Sequence, residues 1–99
     1  MGYEITWTQY SKSDYLNLDG SQRVFVDKAL VRIRERGMDA GQPLSGELMG
    51  CNKLKNKQMG LRIVFRQTDA YVEIIQIVAI GKRDSSEVYT EAGARLKKE

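Results

Sequence analysis

At 99 residues, with 41% hydrophobic and 29% charged residues, the chain is the size of one modest globular domain, which excludes a disordered tail or a fibre. It has no histidine and one cysteine, so a zinc site, Ser-His and Cys-His nucleophile pairs and imidazole-based ribonuclease chemistry all lack their parts. The formal charge of +3 is unevenly spread: residues 1–50 hold six Lys/Arg against seven Asp/Glu, and residues 51–99 hold ten against six.

In chain order, Tyr3-Glu4-Ile5-Thr6-Trp7-Thr8 alternates large apolar with polar residues and predicts a half-buried first strand. Residues 11–18 suit a short helix ended by Asp19-Gly20, and Ser21 is placed to cap a second helix running to Gly37. Val26, Ala29, Leu30 and Ile33 form the buried stripe of that helix. Residues 37–50, with four glycines and the only proline, read as a connecting loop pinned to the core by Leu44 and Leu48. Three strands follow at 51–57, 61–67 and 71–80, turning at 58–60 and 68–70 as an antiparallel meander. The third is apolar at nearly every position, as a central strand covered on both faces should be, and Gly81 breaks it. Asp84-Ser85-Ser86-Glu87 has the form of a capping box opening a last helix towards Lys98, with Tyr89 in its first turns.

The expected fold is therefore α+β, with an N-terminal strand and two helices packed on a four-stranded, mostly antiparallel sheet, plus a C-terminal helix, in one domain over residues 1–99. The most apolar stretch, residues 74–80, is interrupted by Gln76 and falls far short of the ~20 residues that span a bilayer. Residues 1–4 lack the basic and apolar regions of a secretory signal, so the expected compartment is the reducing cytoplasm, with no membrane contact.

Period-two geometry places Lys53, Lys55 and Lys57 on one strand face, about 6.5 to 7 Å apart, with Leu54 pointing the other way. In the next strand Leu61, Ile63 and Phe65 oppose Arg62 and Arg66, so if both apolar sets meet the core the cations share the other face. Between Cys51 and Arg66 there is no acid, the pattern expected where the phosphates of a polyanion sit. On charge alone, the plainer reading of a solvated sheet face is the favoured one. No Gly-rich phosphate loop precedes a helix, and the acids Asp69, Glu73, Asp84 and Glu87 are too scattered for a two-metal site, so no cofactor or metal is expected.

Four segments, Leu44-Ser45-Gly46, Cys51-Asn52-Lys53-Leu54-Lys55, Gly60-Leu61-Arg62-Ile63-Val64-Phe65 and Ile80-Gly81-Lys82-Arg83-Asp84-Ser85-Ser86-Glu87-Val88-Tyr89, resemble in order and spacing the RelE family of bacterial toxins. The resemblance covers about the C-terminal half; the N-terminal helices match only in kind. It implies an endoribonuclease of a type II toxin–antitoxin pair that enters the ribosomal A site, beside the 16S RNA, and cuts the messenger RNA exposed there. The family's active residues fall on Lys53, Lys55, Arg62, Arg83 and Tyr89, and Lys57, Arg66 and Lys82 are further candidates for RNA contact. A cognate antitoxin protein is implied as partner. The departures are Ser45, where relatives often carry a basic residue, and Asn52, where an aromatic is common.

The chemistry of those five residues stands on its own terms. RNA is cut by its own 2′-OH once a base removes that proton, cations stabilise the crowded phosphorane and the 5′ oxygen is helped to leave. Lys55 is the candidate base, and neighbouring Lys53 and Arg62 disfavour its charged form. Arg62 is suited to hold the phosphate, Arg83 to neutralise the leaving oxygen, and Tyr89 to stack an unpaired base. Two other functions stand as alternatives: a ParE-like toxin that blocks DNA gyrase on this architecture, against which Lys53, Lys55 and Tyr89 argue, and a module that binds RNA or an acidic partner without cutting.

Overall fold

The computed structural model describes residues 2–69, 72–82, 92–94 and 96. Its elements are β1 (Glu4–Trp7), α1 (Gln9–Leu16), α2 (Gly20–Arg36), β2 (Gln42–Pro43), β3 (Asn52–Asn56), β4 (Leu61–Asp69) and β5 (Val72–Lys82). The strands form a five-stranded sheet in the order β1-β5-β4-β3-β2, antiparallel except where β1 runs parallel to β5. The count exceeds the expected four because Gln42 and Pro43, within the expected loop, pair with Lys53 and Asn52. A two-residue strand containing proline leaves no periodic signal. Among the described residues no helix is long and apolar enough to cross a membrane.

Capping chemistry sets the helix boundaries and moves two of them from their expected positions. Thr8 caps α1, so the helix starts at Gln9 rather than Ser11: Thr8 Oγ1 accepts from Ser11 N–H at 3.0 Å and Ser11 Oγ accepts from Thr8 N–H at 3.0 Å. Asp19, not Ser21, caps α2, accepting from Gln22 N–H at 2.8 Å while Gln22 Oε1 accepts from Asp19 N–H at 3.0 Å. A carboxylate at this position also meets the positive end of the helix dipole, which a hydroxyl does not exploit. Gly37 ends α2 at φ 62°, and a Cβ there would overlap the Tyr3 ring. The β1–α1–α2 corner is closed by Trp7 and Tyr15 rings 5.4 Å apart and by the Arg23 guanidinium 5.6 Å from the Tyr15 ring. Tyr15 Oη donates to Asp27 at 2.7 Å, and chiefly that bond raises the phenol above its ordinary pKa.

The sheet is buried on both sides. On the helix face, Val26, Ala29, Leu30 and Ile33 of α2 pack against Leu54, Leu61, Ile63, Phe65, Ile75, Ile77 and Ile80. The second face carries a smaller cluster of Cys51, Val64, Val78 and Ala79 under Leu48 and Ala92, flanked by Leu44 and Leu96. Leu44 and Leu48 thus pin the 37–50 segment as expected. In β5 two consecutive residues, Val78 and Ala79, face the same side because the register jumps from Val64↔Ala79 to Phe65↔Ile77. This bulge returns Ile80 to the helix face, which unbroken alternation would deny it. Gly81 does not end the strand: it pairs with Arg62, and Lys82 pairs with Leu61. Of the expected C-terminal helix, residues 92–94 and 96 are helical; the capping box at 84–87 and the turn residue Ala70 lie outside the described residues.

Gly41 is required for space rather than conformation. An added Cβ would sit 2.5 Å from Lys53 O and 2.8 Å from Phe65 Cζ, at an ordinary extended φ of −129°. Gly41→Ala is expected to destabilise the protein by about 2 kcal/mol through overpacking, read as a lower Tm in thermal denaturation.

Candidate RNA-binding and cleavage site

The site is built on the three central strands at one end of the second face. Lys53 pairs with Val64 and Lys55 with Arg62, so both lysines face the side opposite Leu54. Arg62 in turn pairs with Gly81. One row across the sheet therefore reads Lys55, Arg62, Gly81, with neighbouring Cα atoms about 4.5 to 5.5 Å apart, and Lys53 lies about 6.5 to 7 Å from Lys55 along β3. At Gly81 the row has no side chain.

Arg62 is the most unusual member. It is only 4% exposed, its Nη1 donates to Leu61 O at a long 3.5 Å, and its Nε has no hydrogen-bond partner among the described residues. A guanidinium so enclosed loses several kcal/mol of hydration, which an opposing anion would restore. This burial counts against the solvated-face reading that charge alone favoured. Lys55 is exposed and Lys53 half-buried, so the three cations run from solvent into the sheet. Beside the lysines, a cavity of about 300 Å³ opens between residues 39–42 and 53–55.

Lys57 and Arg66 are placed apart from this row. Lys57 is not on the strand face: β3 stops at Asn56, whose Oδ1 accepts from Met59 N–H at 3.1 Å and starts the turn that contains Lys57. Arg66 shares the second face, but four residues along β4 puts it about 13 Å from Arg62, with Val64 between. Its Nε donates to Gln76 Oε1 at 2.8 Å. Lys82 is the last residue of β5, and Arg83 and Tyr89 lie outside the described residues. Asn52, one of the two departures, turns to the backbone instead: its Nδ2 donates to Met38 O at 2.7 Å and ties β3 to the segment after α2. Ser45 is exposed ahead of the turn at Gly46–Leu48.

Sequence reasoning missed Gly81 as the partner of Arg62, since a glycine after an apolar run reads as a stop. Cys51 is a core residue, at 2% exposure. Burial raises its thiol above the ordinary pKa, and the Arg66 charge works the other way. The folded protein should therefore react slowly with iodoacetamide at pH 8, and denaturation should accelerate alkylation by more than tenfold, as followed by mass spectrometry.

No protein-family model matches the chain. The mRNA interferase toxin RelE of Escherichia coli is 29% identical over 96 residues, covering 97% of this chain and 99% of that protein. The free structure of an arginine-to-alanine double mutant of E. coli RelE superposes with a TM-score of 0.78 at 28% identity, covering 97% of this chain and 99% of that one. The same mutant toxin bound to a peptide of its antitoxin RelB matches with a TM-score of 0.71 at 28% identity, over 93% and 95% of the two chains. The alignments extend through the N-terminal helices, beyond the C-terminal half in which motifs were legible.

Proposed function

The chain belongs to the RelE family of toxins, and from that premise we propose that it is a ribosome-dependent endoribonuclease, cleaving messenger RNA in the A site and so halting translation. The observation that carries this reading is the enclosed Arg62, its Nε unpartnered among the described residues, next to Lys55 across the strand pair. A fixed, enclosed cation whose Nε is unsatisfied among the described residues suits a phosphodiester that arrives from outside.

In the proposed reaction Lys55, in its neutral form, takes the proton from the 2′-OH of the nucleotide before the cut. The 2′ oxygen attacks the adjacent phosphorus, the bond to the 5′ oxygen breaks, and the products are a 2′,3′-cyclic phosphate and a 5′-OH. Arg62 and Lys53 hold the non-bridging oxygens as negative charge builds on them. Arg83 stabilises the leaving oxygen while it gains a proton, and Tyr89 stacks an unpaired base so that the attacking oxygen lies in line. None of these steps requires a metal ion. The E. coli relative bound to a RelB peptide supports a further part of the proposal, that a cognate antitoxin restrains this chain in the cell.

The test adds purified protein to messenger RNA with and without programmed ribosomes and maps the new ends. Cuts that need ribosomes and leave a 2′,3′-cyclic phosphate are expected. Intact messages with well-folded protein would overturn the proposal, and an arrest of DNA replication ahead of protein synthesis on induction in bacteria would redirect it to the gyrase-blocking alternative.

A further inference from the structure

Strand β5 reaches the site beyond the end of its pairing with β1, and among the described residues no other strand pairs with it on that side. On that side β1 pairs only from Glu4↔Ile74 to Trp7↔Ile77, yet β5 continues through Lys82. Past Trp7 the chain turns at once into α1, held there by the Thr8–Ser11 capping box. From α1, Asp14 Oδ2 accepts a hydrogen bond of 3.1 Å from Ile80 N–H, joining residues 66 apart in sequence. Ile80 follows directly on the bulge at Val78 and Ala79, where regular pairing is weakest, and directly precedes Gly81, the cross-strand partner of Arg62.

We propose that Asp14 is a positioning residue for the cationic site: its carboxylate replaces the missing neighbour strand at Ile80 and fixes the end of β5 opposite Arg62. This rests on the proposed nuclease reading. A charged acceptor is the stronger choice for a lone edge N–H, because a carboxylate–amide hydrogen bond exceeds a neutral one. A strand end freed from this anchor would let Gly81 and Lys82 drift relative to Arg62. Misplacement of a reacting group by about 1 Å costs on the order of a hundredfold in rate.

The experiment compares wild-type protein, Asp14→Asn and Asp14→Ala in single-turnover cleavage on programmed ribosomes, with rates expressed per folded molecule, and follows amide exchange at Ile80 by NMR. Asp14→Asn keeps an acceptor oxygen and should stay within about threefold of wild type. Asp14→Ala should lose about ten- to a hundredfold in kcat with KM little changed, together with faster exchange at Ile80. Should the alanine variant fail to fold, Asp14→Ser, too short to reach Ile80, takes its place. Equal kcat per folded molecule in wild type and the alanine or serine variant would overturn the inference, as would equal losses in the asparagine and alanine variants. Failure of the wild-type protein to cleave is a separate outcome, which removes the nuclease reading itself.

Discussion

Replacing Arg62 with methionine should reduce RNA cleavage by about a hundred- to a thousandfold, the usual consequence of removing one group that stabilises transition-state charge, while leaving the fold at least as stable. The two halves of this expectation come from the same fact. Arg62 is 4% exposed and its Nε is unsatisfied among the described residues, so in the ligand-free protein it is a desolvated charge held in place by packing. Methionine fills a similar volume without that penalty, and stability should rise by about 1 kcal/mol or more. Thermal denaturation and single-turnover cleavage on the same preparation check both. A large drop in Tm with cleavage retained would make Arg62 a structural residue.

Lys55 should matter as much, for a different reason. Loss of a general base lowers rates by about a hundred- to ten-thousandfold, and Lys55→Ala should fall in that range while binding changes little, because Lys53 and Arg62 still meet the phosphate. The informative variant is Lys55→Arg. Arginine restores the charge, but it stays protonated far above neutral pH and cannot accept the 2′-OH proton. If Lys55 acts as base, the arginine variant is as slow as the alanine one; if it acts only through charge, the arginine variant recovers most of the rate. Rate–pH profiles separate the two further, since the rise in wild-type rate with pH should vanish in both variants only when Lys55 carries it.

Much of this site was legible from strand periodicity, because alternation fixes faces without any knowledge of register. Lys53 and Lys55 opposite Leu54, and Arg62 between Leu61 and Ile63, lie on the expected sides, and the actual register adds that Lys55 and Arg62 are direct neighbours. What periodicity misses is a break in periodicity: Lys57 left the row because the Asn56 side chain ends β3 one residue earlier. The bulge in β5 is equally silent, since Val78 and Ala79 are apolar on whichever face they fall. The fifth strand was hidden for a third reason, being a pair of residues recruited by its neighbour rather than by its own propensity. Burial of Arg62 was also beyond reach, because alternation fixes the face a side chain is on and not what packs over it.

The account stands on the sugar hydroxyl as nucleophile, activated by a cationic sheet face. The direct measurement is single-turnover cleavage on programmed ribosomes of two messages that differ only by a 2′-deoxy sugar at the nucleotide before the cut. The all-ribose message should be severed and the deoxy message should survive at that bond; cutting of both at similar rates would mean that another nucleophile, such as water, does the work.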